Sequence, residues 1–493
     1  MPDLLNLIMP GNARYQPKEL QQFFGYDNSY LGVAMVELAN LEVLYERGLI
    51  PYVLYQTLSQ NLKVVLKKIT ATQVDKTERE KTKHDIRAWI LEAQNAVINH
   101  VGNISFARFL HIPLTSYDAL DTGRSLMYLY AYEQVTRPTI LDLLWDWCDK
   151  VYETSNMVQI GRTHGQHAIP ITVGFWLAPI LWRFYYNYLE MERHAQSLFG
   201  TISGAVGTYN AQVALGIYKD KGGGTYEEAV LKKLGLKPAP ISTQILPPDP
   251  LAHFLFSHVL ASGSLGQLGR DGRNLMRSEI SEISEGFTSQ QSGSSTMAHK
   301  RNPITFENIE SQWLKMKNEF GKVLEVIISD HQRDLTNSAI VRDFPTIIIL
   351  LQEQMNKLLK EDESGKSFIG RIQVNEEALR RNLQTNANVL TSELMYISLI
   401  LAGYQGDAHH LVNHEIVPLA QAGKINIWMA LEIRADNDEV LSSLLPKIKP
   451  DIINTIKNPE TYIGVAKEKA EQISSDIKMR ILDRDSKEKR EIH

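Results

Sequence analysis

Between Gln291 and Pro303 the chain reads Gln291-Ser292-Gly293-Ser294-Ser295-Thr296-Met297-Ala298-His299-Lys300-Arg301-Asn302-Pro303, with Glu307 and Asn308 just beyond. Paired hydroxyls, a lysine and an arginine this close together offer donors and positive charge to an anion. Gly293 permits loop conformations closed to other residues, and Pro303 suits the first turn of a new helix. Three further polar clusters interrupt apolar helical stretches. They are Thr82-Lys83-His84-Asp85, Leu114-Thr115-Ser116-Tyr117-Asp118 and Gly161-Arg162-Thr163-His164-Gly165-Gln166-His167. Connections in helical bundles are normally short and undistinguished. These contain potential acids, bases and phosphate-binding groups.

Several other chemistries lack their residues. Gly222-Gly223-Gly224 has no later glycine of a dinucleotide fingerprint, and no phosphate-cradle or nucleophile-elbow motif occurs. His410 and His414 lie one helical turn apart but have no further ligands at metal-binding spacing, so no metal is expected. The 493 residues exceed one ordinary core, and 43% hydrophobic with 22% charged residues indicate a soluble globular chain. A net charge of -5 argues against a general nucleic-acid partner. The lone Cys148 excludes an internal disulfide and fits a reducing cytoplasm. Residues 1–11 lack a secretory pattern, and no apolar run is long enough for a membrane span.

The elements that must carry the clusters read as helices. From Tyr30 apolar residues recur at helical spacing up to Gly48, and a third helix is expected over Lys81 to His100. Long helices are expected from about Ala119 to Met157, kinked at Pro138, from Thr172 to Ser197 and from Leu251 to Glu285. Residues 161–170 read as a loop punctuated by two glycines and a proline. Gly263, Gly266, Gly269 and Gly272 each cost about 1 kcal/mol of helix propensity, which implies close approach of another helix. Thr346 to Leu351 is apolar all round, as in the middle of a bundle. The charged tail from Asp483 is expected to stay solvated. The fold expected is all-α, a central long-helix bundle flanked by two smaller helical domains, with divisions at 1–112, 113–365 and 366–493.

The 291–303 run resembles the signature loop of the fumarase/aspartase superfamily of lyases. Gly161 to Gln166 resembles the second signature, in the form typical of the adenylosuccinate lyase branch, and Leu114 to Asp118 with Asp121-Thr122 resembles the first. Arg14-Tyr15, Lys83-His84-Asp85, Ile202 to Thr208, Ile241 to Gln244, Lys300 to Pro303, and Arg333-Asp334-Leu335 with Ser338 and Arg342 extend the match from about residue 14 to 345. Ala298 departs from the usual proline, Ser292 from a frequent lysine, and Pro247-Pro248-Asp249-Pro250 from a usually charged segment.

The resemblance implies a β-elimination that releases fumarate from adenylosuccinate and from the related succinyl-aminoimidazole-carboxamide ribotide of purine biosynthesis. It implies Ser294 as base and His164 as acid, with Lys300 and Asn302 holding the developing carboxylate charge. Glu307 would orient His164, and His84 would assist. The substrate ligands it implies are Arg14, Tyr15, Lys83, His84, Asp85, Thr115, Ser116, Gln244, Ser295, Lys300, Arg301, Asn302, Asn308, Arg333, Ser338 and Arg342. It further implies a cytoplasmic homotetramer with active sites shared between subunits, a small anionic substrate and no metal or organic cofactor.

Overall fold

A computed structural model describes residues 16–56, 58, 60–102, 104–286 and 300–491. The eight helices used below are α1 (Leu31–Glu46), α2 (Asp85–Val101), α3 (Ser116–Ala131), α4 (Arg137–Glu153), α5 (Val173–Ala195), α6 (Asp249–Leu275), α7 (Ile304–Glu325) and α8 (Pro345–Leu359). The chain divides into two compact units. The first comprises Met1–Leu141, Tyr186–Gly266 and Ser311–Lys357; the second comprises Asp142–Tyr185, Gln267–Glu310 and Leu358–His493.

In the first unit α1 crosses α3 where two glycines meet. A Cβ on Gly32 would lie 2.4 Å from the Gly123 carbonyl oxygen, so neither position accepts a side chain. Ile347 to Leu351 of α8 are all buried, as their unbroken apolar sequence requires. Ahead of Pro138 the helix widens into a π turn over Tyr132–Thr136. Proline lacks the N–H for the preceding turn, and the extra residue takes up that mismatch. In the same unit α6 meets Trp313 of α7 at Gly266, where a Cβ would lie 2.7 Å from the tryptophan Cβ.

The second unit holds a hairpin of β1 (Val158–Thr163) and β2 (Gln166–Thr172), which replaces the loop expected at 161–170. Its turn residues His164 and Gly165 both have positive φ, 52° and 76°, as a two-residue hairpin of primed type requires. A bulge between Ile160 and Arg162 breaks strict alternation, and a Cβ on the bulged Gly161 would lie 2.7 Å from the Ile169 carbonyl oxygen. Pro170 is tolerated because a two-stranded ribbon consists only of edges. Minor pairs are β3 (Phe199–Gly200) with β4 (Lys237–Pro238) in the first unit, and β5 (Ile283–Ser284) with β6 (Gln373–Val374) in the second. The fold remains all-α in its framework.

Three helix bounds differ from expectation. α2 starts at Asp85, because Lys83 takes a left-handed conformation that ends the preceding π turn. α6 stops at Leu275, and the chain turns through Ile280 into β5. The terminal helix Ala466–Glu491 runs into the stretch read as a charged tail.

Within the second unit the glycines of α6 face Phe306. A Cβ on Gly269 would sit 2.5 Å from the Phe306 carbonyl oxygen and 3.0 Å from the Glu310 nitrogen. Backbone atoms cannot rotate aside. The alanine variant gains about 1 kcal/mol of helix propensity, but overpacking costs about 1–3 kcal/mol. Gly269→Ala is therefore expected to lower stability in urea titrations by up to about 2 kcal/mol. Gly321→Ala at an exposed position of α7, with nothing within 4 Å of its Cβ position among the described residues, is expected to raise it by about 0.5–1 kcal/mol. Equal effects at the two sites would remove the close-packing account.

Candidate active site

In the first unit the residues expected to bind substrate fall into two groups. One gathers at the start of α3. Asp118 is 1% exposed and accepts from the backbone N–H of Thr115 (2.7 Å), Ser203 (3.0 Å) and Gly204 (3.1 Å). A single carboxylate thereby ties Thr115-Ser116 to the 202–208 segment. Hydroxyls extend the tie: Thr201 lies 2.9 Å from Ser242, and Ser203 also lies 2.9 Å from it. Ser242 is two residues before Gln244. The Gln244 side chain donates to the Ala205 carbonyl (2.8 Å) and accepts from Arg333 Nη1 (2.6 Å). The Arg333 guanidinium carbon in turn lies over Tyr117, 3.6 Å from the ring centroid. First signature, Gln244 segment and Arg333 thus form one assembly.

A cavity adjoins it, lined by Tyr117, Asp121, Leu246 and Ser338 together with Pro247 and Pro248. The proline-rich departure therefore walls space beside the Arg333 cluster. Asp121 accepts from Arg124 Nη1 (2.7 Å) and from the Leu246 N–H (3.1 Å), pinning the start of that segment.

The second group meets at Asp85. His84 Nδ1 lies 3.3 Å from one Asp85 oxygen and Arg342 Nη2 lies 3.7 Å from the other. His84 is also the N-cap of α2, its Nδ1 accepting the Arg87 N–H at 3.4 Å, a long contact. Lys83 donates to the Arg79 carbonyl. Thr82 Oγ1 donates to the His84 carbonyl (2.9 Å).

In the second unit His164 stands exposed at the hairpin tip. Lys300 and Arg301 are exposed ahead of α7, Asn302 accepts the Ile304 N–H (2.9 Å), and Glu307 is exposed in the first turn. Asn308 is partly buried, and its Oδ1 has no partner among the described residues. No hydrogen bond joins His164 to Glu307 among the described residues. Arg14, Tyr15, Ser294 and Ser295 lie outside the described residues.

Two carboxylates missing from the expected site carry its supports in the second unit. Glu282 binds Arg162 of the hairpin, and Glu285 accepts the Thr305 (2.7 Å) and Phe306 (3.0 Å) N–H groups at the start of α7. An acidic group there meets the positive end of the helix. Burial nevertheless raises the Glu285 pKa against the pull of those N–H groups. Asp118 had a legible signal, the Thr-x-x-Asp capping pattern over Thr115 to Asp118. Glu282 had none.

Burial pushes the Asp118 carboxyl up to about 7, against the opposing pull of the Thr115, Gly204 and Ser203 N–H groups and of His111. The folded state then holds a proton that the unfolded state, near 3.8, releases. That contribution is fully present below pH ~4 and is lost as pH rises through ~7. The stability advantage of wild type over Asp118→Asn should therefore be larger at pH 5 than at pH 8 in urea titrations. An advantage that grows with pH would mean that the three N–H donors outweigh burial.

A sequence profile of the family described as Lyase matches residues 28–315. The chain is 30% identical over 481 residues to adenylosuccinate lyase from Methanocaldococcus jannaschii, covering 96% of each chain. It is 30% identical over 479 residues to adenylosuccinate lyase from Archaeoglobus fulgidus, covering 95% of this chain and 98% of that one. Among solved structures, 3-carboxy-cis,cis-muconate lactonizing enzyme from Pseudomonas putida superposes with a TM-score of 0.77 at 20% identity, over 95% of this chain and 99% of that chain. That likeness concerns the fold. Profile, near-full-length identity and signature segments agree: the chain belongs to the adenylosuccinate lyase family of the fumarase/aspartase superfamily.

Proposed function

We propose that the chain cleaves the C–N bond of adenylosuccinate by β-elimination, giving AMP and fumarate, and acts likewise on the succinyl-aminoimidazole-carboxamide ribotide. The observation that carries this reading is the 30% identity to adenylosuccinate lyases over 96% of the chain. Ser294 takes the proton from the carbon next to the carboxylate, and His164 delivers one to the departing nitrogen. Lys300 and Asn302, ahead of α7, hold the charge that develops on that carboxylate. Electrostatic stabilisation of this kind acts where charge appears during reaction. Glu307 orients His164, and His84 assists from the Asp85 group.

The substrate bears a phosphate and two carboxylates. Arg333 and Arg342 answer them with forked donors, as does Arg14. Thr115, Ser116, Gln244, Ser295 and Ser338 add neutral contacts, and Tyr15, Lys83, Asp85, Arg301 and Asn308 complete the set. A homotetramer in the cytoplasm, with each site drawn from several copies, is the assembly we propose. The exposure of His164 at a hairpin tip favours it, since a second copy can reach that imidazole. Among the described residues no helix is long and apolar enough to cross a membrane.

The test is fumarate release over a panel of adenylosuccinate, argininosuccinate and aspartate, read by absorbance. Turnover of adenylosuccinate alone is the expected result. Silence on adenylosuccinate beside turnover of another member would overturn the substrate assignment.

A further inference from the structure

Glu282 has an unusual environment for a carboxylate. It is fully buried, and four side-chain hydrogen bonds converge on it within the second unit. Arg162 grips both oxygens, Nη2 to Oε1 at 2.6 Å and Nη1 to Oε2 at 3.0 Å. Gln159 Nε2 donates to Oε2 (2.8 Å) and Asn382 Nδ2 to Oε1 (2.8 Å). Its backbone is also satisfied, the N–H by the Leu275 carbonyl (3.0 Å) and the carbonyl by the Asn375 N–H (2.9 Å).

Three of the four hydrogen bonds to this carboxylate come from β1, one from Gln159 and two from Arg162, and the fourth comes from Asn382 of helix Glu376–Gln384. Arg162 sits two residues before His164 and pairs across the hairpin with His167. It follows the bulge that turns its side chain out of strict alternation, and its own Nη1 also caps the Ile160 carbonyl at 3.2 Å. On the apolar side the hairpin rests on a small cluster of Ile160 and Val158 with Leu383 and Leu390. Removal of that much hydration is costly for an ion pair, and an apolar contact of similar volume stabilises at least as well. What the forked pair adds is a fixed position, because the guanidinium accepts the carboxylate in one planar arrangement.

We propose that Glu282 is a positioning residue for the elimination: through Arg162 it sets where the hairpin tip places His164. This rests on the reading of His164 as the acid. An acid delivers its proton efficiently only within a narrow geometry, and a displacement of about 1 Å can cost about a hundredfold in rate. Substrate ligands belong to other segments, so the loss falls on turnover rather than on binding.

The experiment compares Glu282→Gln, Arg162→Gln and the double variant in the full-length protein, following kcat, KM for adenylosuccinate and thermal midpoint. Amide hydrogen exchange over residues 158–172 is measured in parallel. Each single variant is expected to lose at least about tenfold in kcat with KM within about threefold. The double variant is expected to be no worse than the worse single, since both break one pair. Glu282→Asp, which keeps the charge, should recover part of kcat. Faster exchange confined to the hairpin should accompany the loss.

Unchanged kcat in both single variants would overturn the proposal, as would a loss carried by KM alone. If the glutamine variants do not fold, Glu282→Asp and Arg162→Lys decide in their place, and wild-type kcat in both overturns it. Exchange separates this proposal from the assignment of function. Wild type inert on adenylosuccinate overturns the reaction and with it the role given to Glu282, while faster hairpin exchange would leave only the clasp itself standing.

Discussion

His164→Asn is expected to lower kcat for adenylosuccinate by about 10²–10⁴-fold, the usual range for a positioned proton donor. Asparagine is the informative replacement because of the backbone. His164 occupies a left-handed conformation, φ 52°, at the first turn position of the β1–β2 hairpin. Asparagine and histidine are enriched there among non-glycine residues, whereas alanine pays the steric cost of its Cβ, about 1 kcal/mol. His164→Ala should therefore lose both the proton and part of the turn. The two variants are expected to show similar kcat but different melting midpoints, with alanine lower. Near-normal turnover in His164→Asn would remove the histidine from the chemistry, whatever alanine does. A defect in alanine alone would assign the residue to the turn.

The difference between expectation and structure at this hairpin has a specific cause. Residues 161–167 contain two glycines, two histidines and an arginine, and their apolar neighbours are too few to alternate visibly. The bulge at Gly161 then shifts the side-chain period by one residue. A ribbon held by a carboxylate 120 residues downstream leaves no local trace at either end. The helices were legible for the opposite reason: α8 announces itself by an unbroken apolar run, and the glycines of α6 by a repeated loss of propensity that only contact can offset. The start of α2 differed because Lys83, in a left-handed conformation that composition does not reveal, ends the preceding turn.

The site divides along the same line. Residue types with obvious chemistry, such as His164, Lys300, Arg333 and Arg342, could be read from the sequence and its family resemblance. Their supports could not. Asp118 is a capping aspartate in sequence, yet its second oxygen reaches Ser203 and Gly204, 85 and 86 residues away. Tyr117 reads as one aromatic among many until Arg333 stacks on it. Long-range polar contacts of this kind are fixed by tertiary packing, and only the carrier residues have a local pattern.

Arg333→Lys is expected to raise KM for adenylosuccinate by about 10- to 100-fold, equivalent to about 1.5–3 kcal/mol for hydrogen bonds to a charged partner. The charge is retained, so the loss measures geometry. Lysine cannot lie over Tyr117 as a plane, and it cannot give one donor to Gln244 while keeping others parallel for an anion. In the native arrangement Gln244 accepts one Arg333 nitrogen at 2.6 Å and the ring of Tyr117 supports the face, while Nε is buried without a partner among the described residues. The guanidinium is therefore oriented before any substrate arrives, and a flexible ammonium would have to be ordered during binding. Binding of AMP and of fumarate to the variant, each measured as competitive inhibition, identifies the group that Arg333 meets. Weakened AMP with unchanged fumarate assigns the phosphate, and the reverse assigns a carboxylate. Unchanged KM together with unchanged inhibition by both would remove Arg333 from the substrate site and leave it as a support for Gln244.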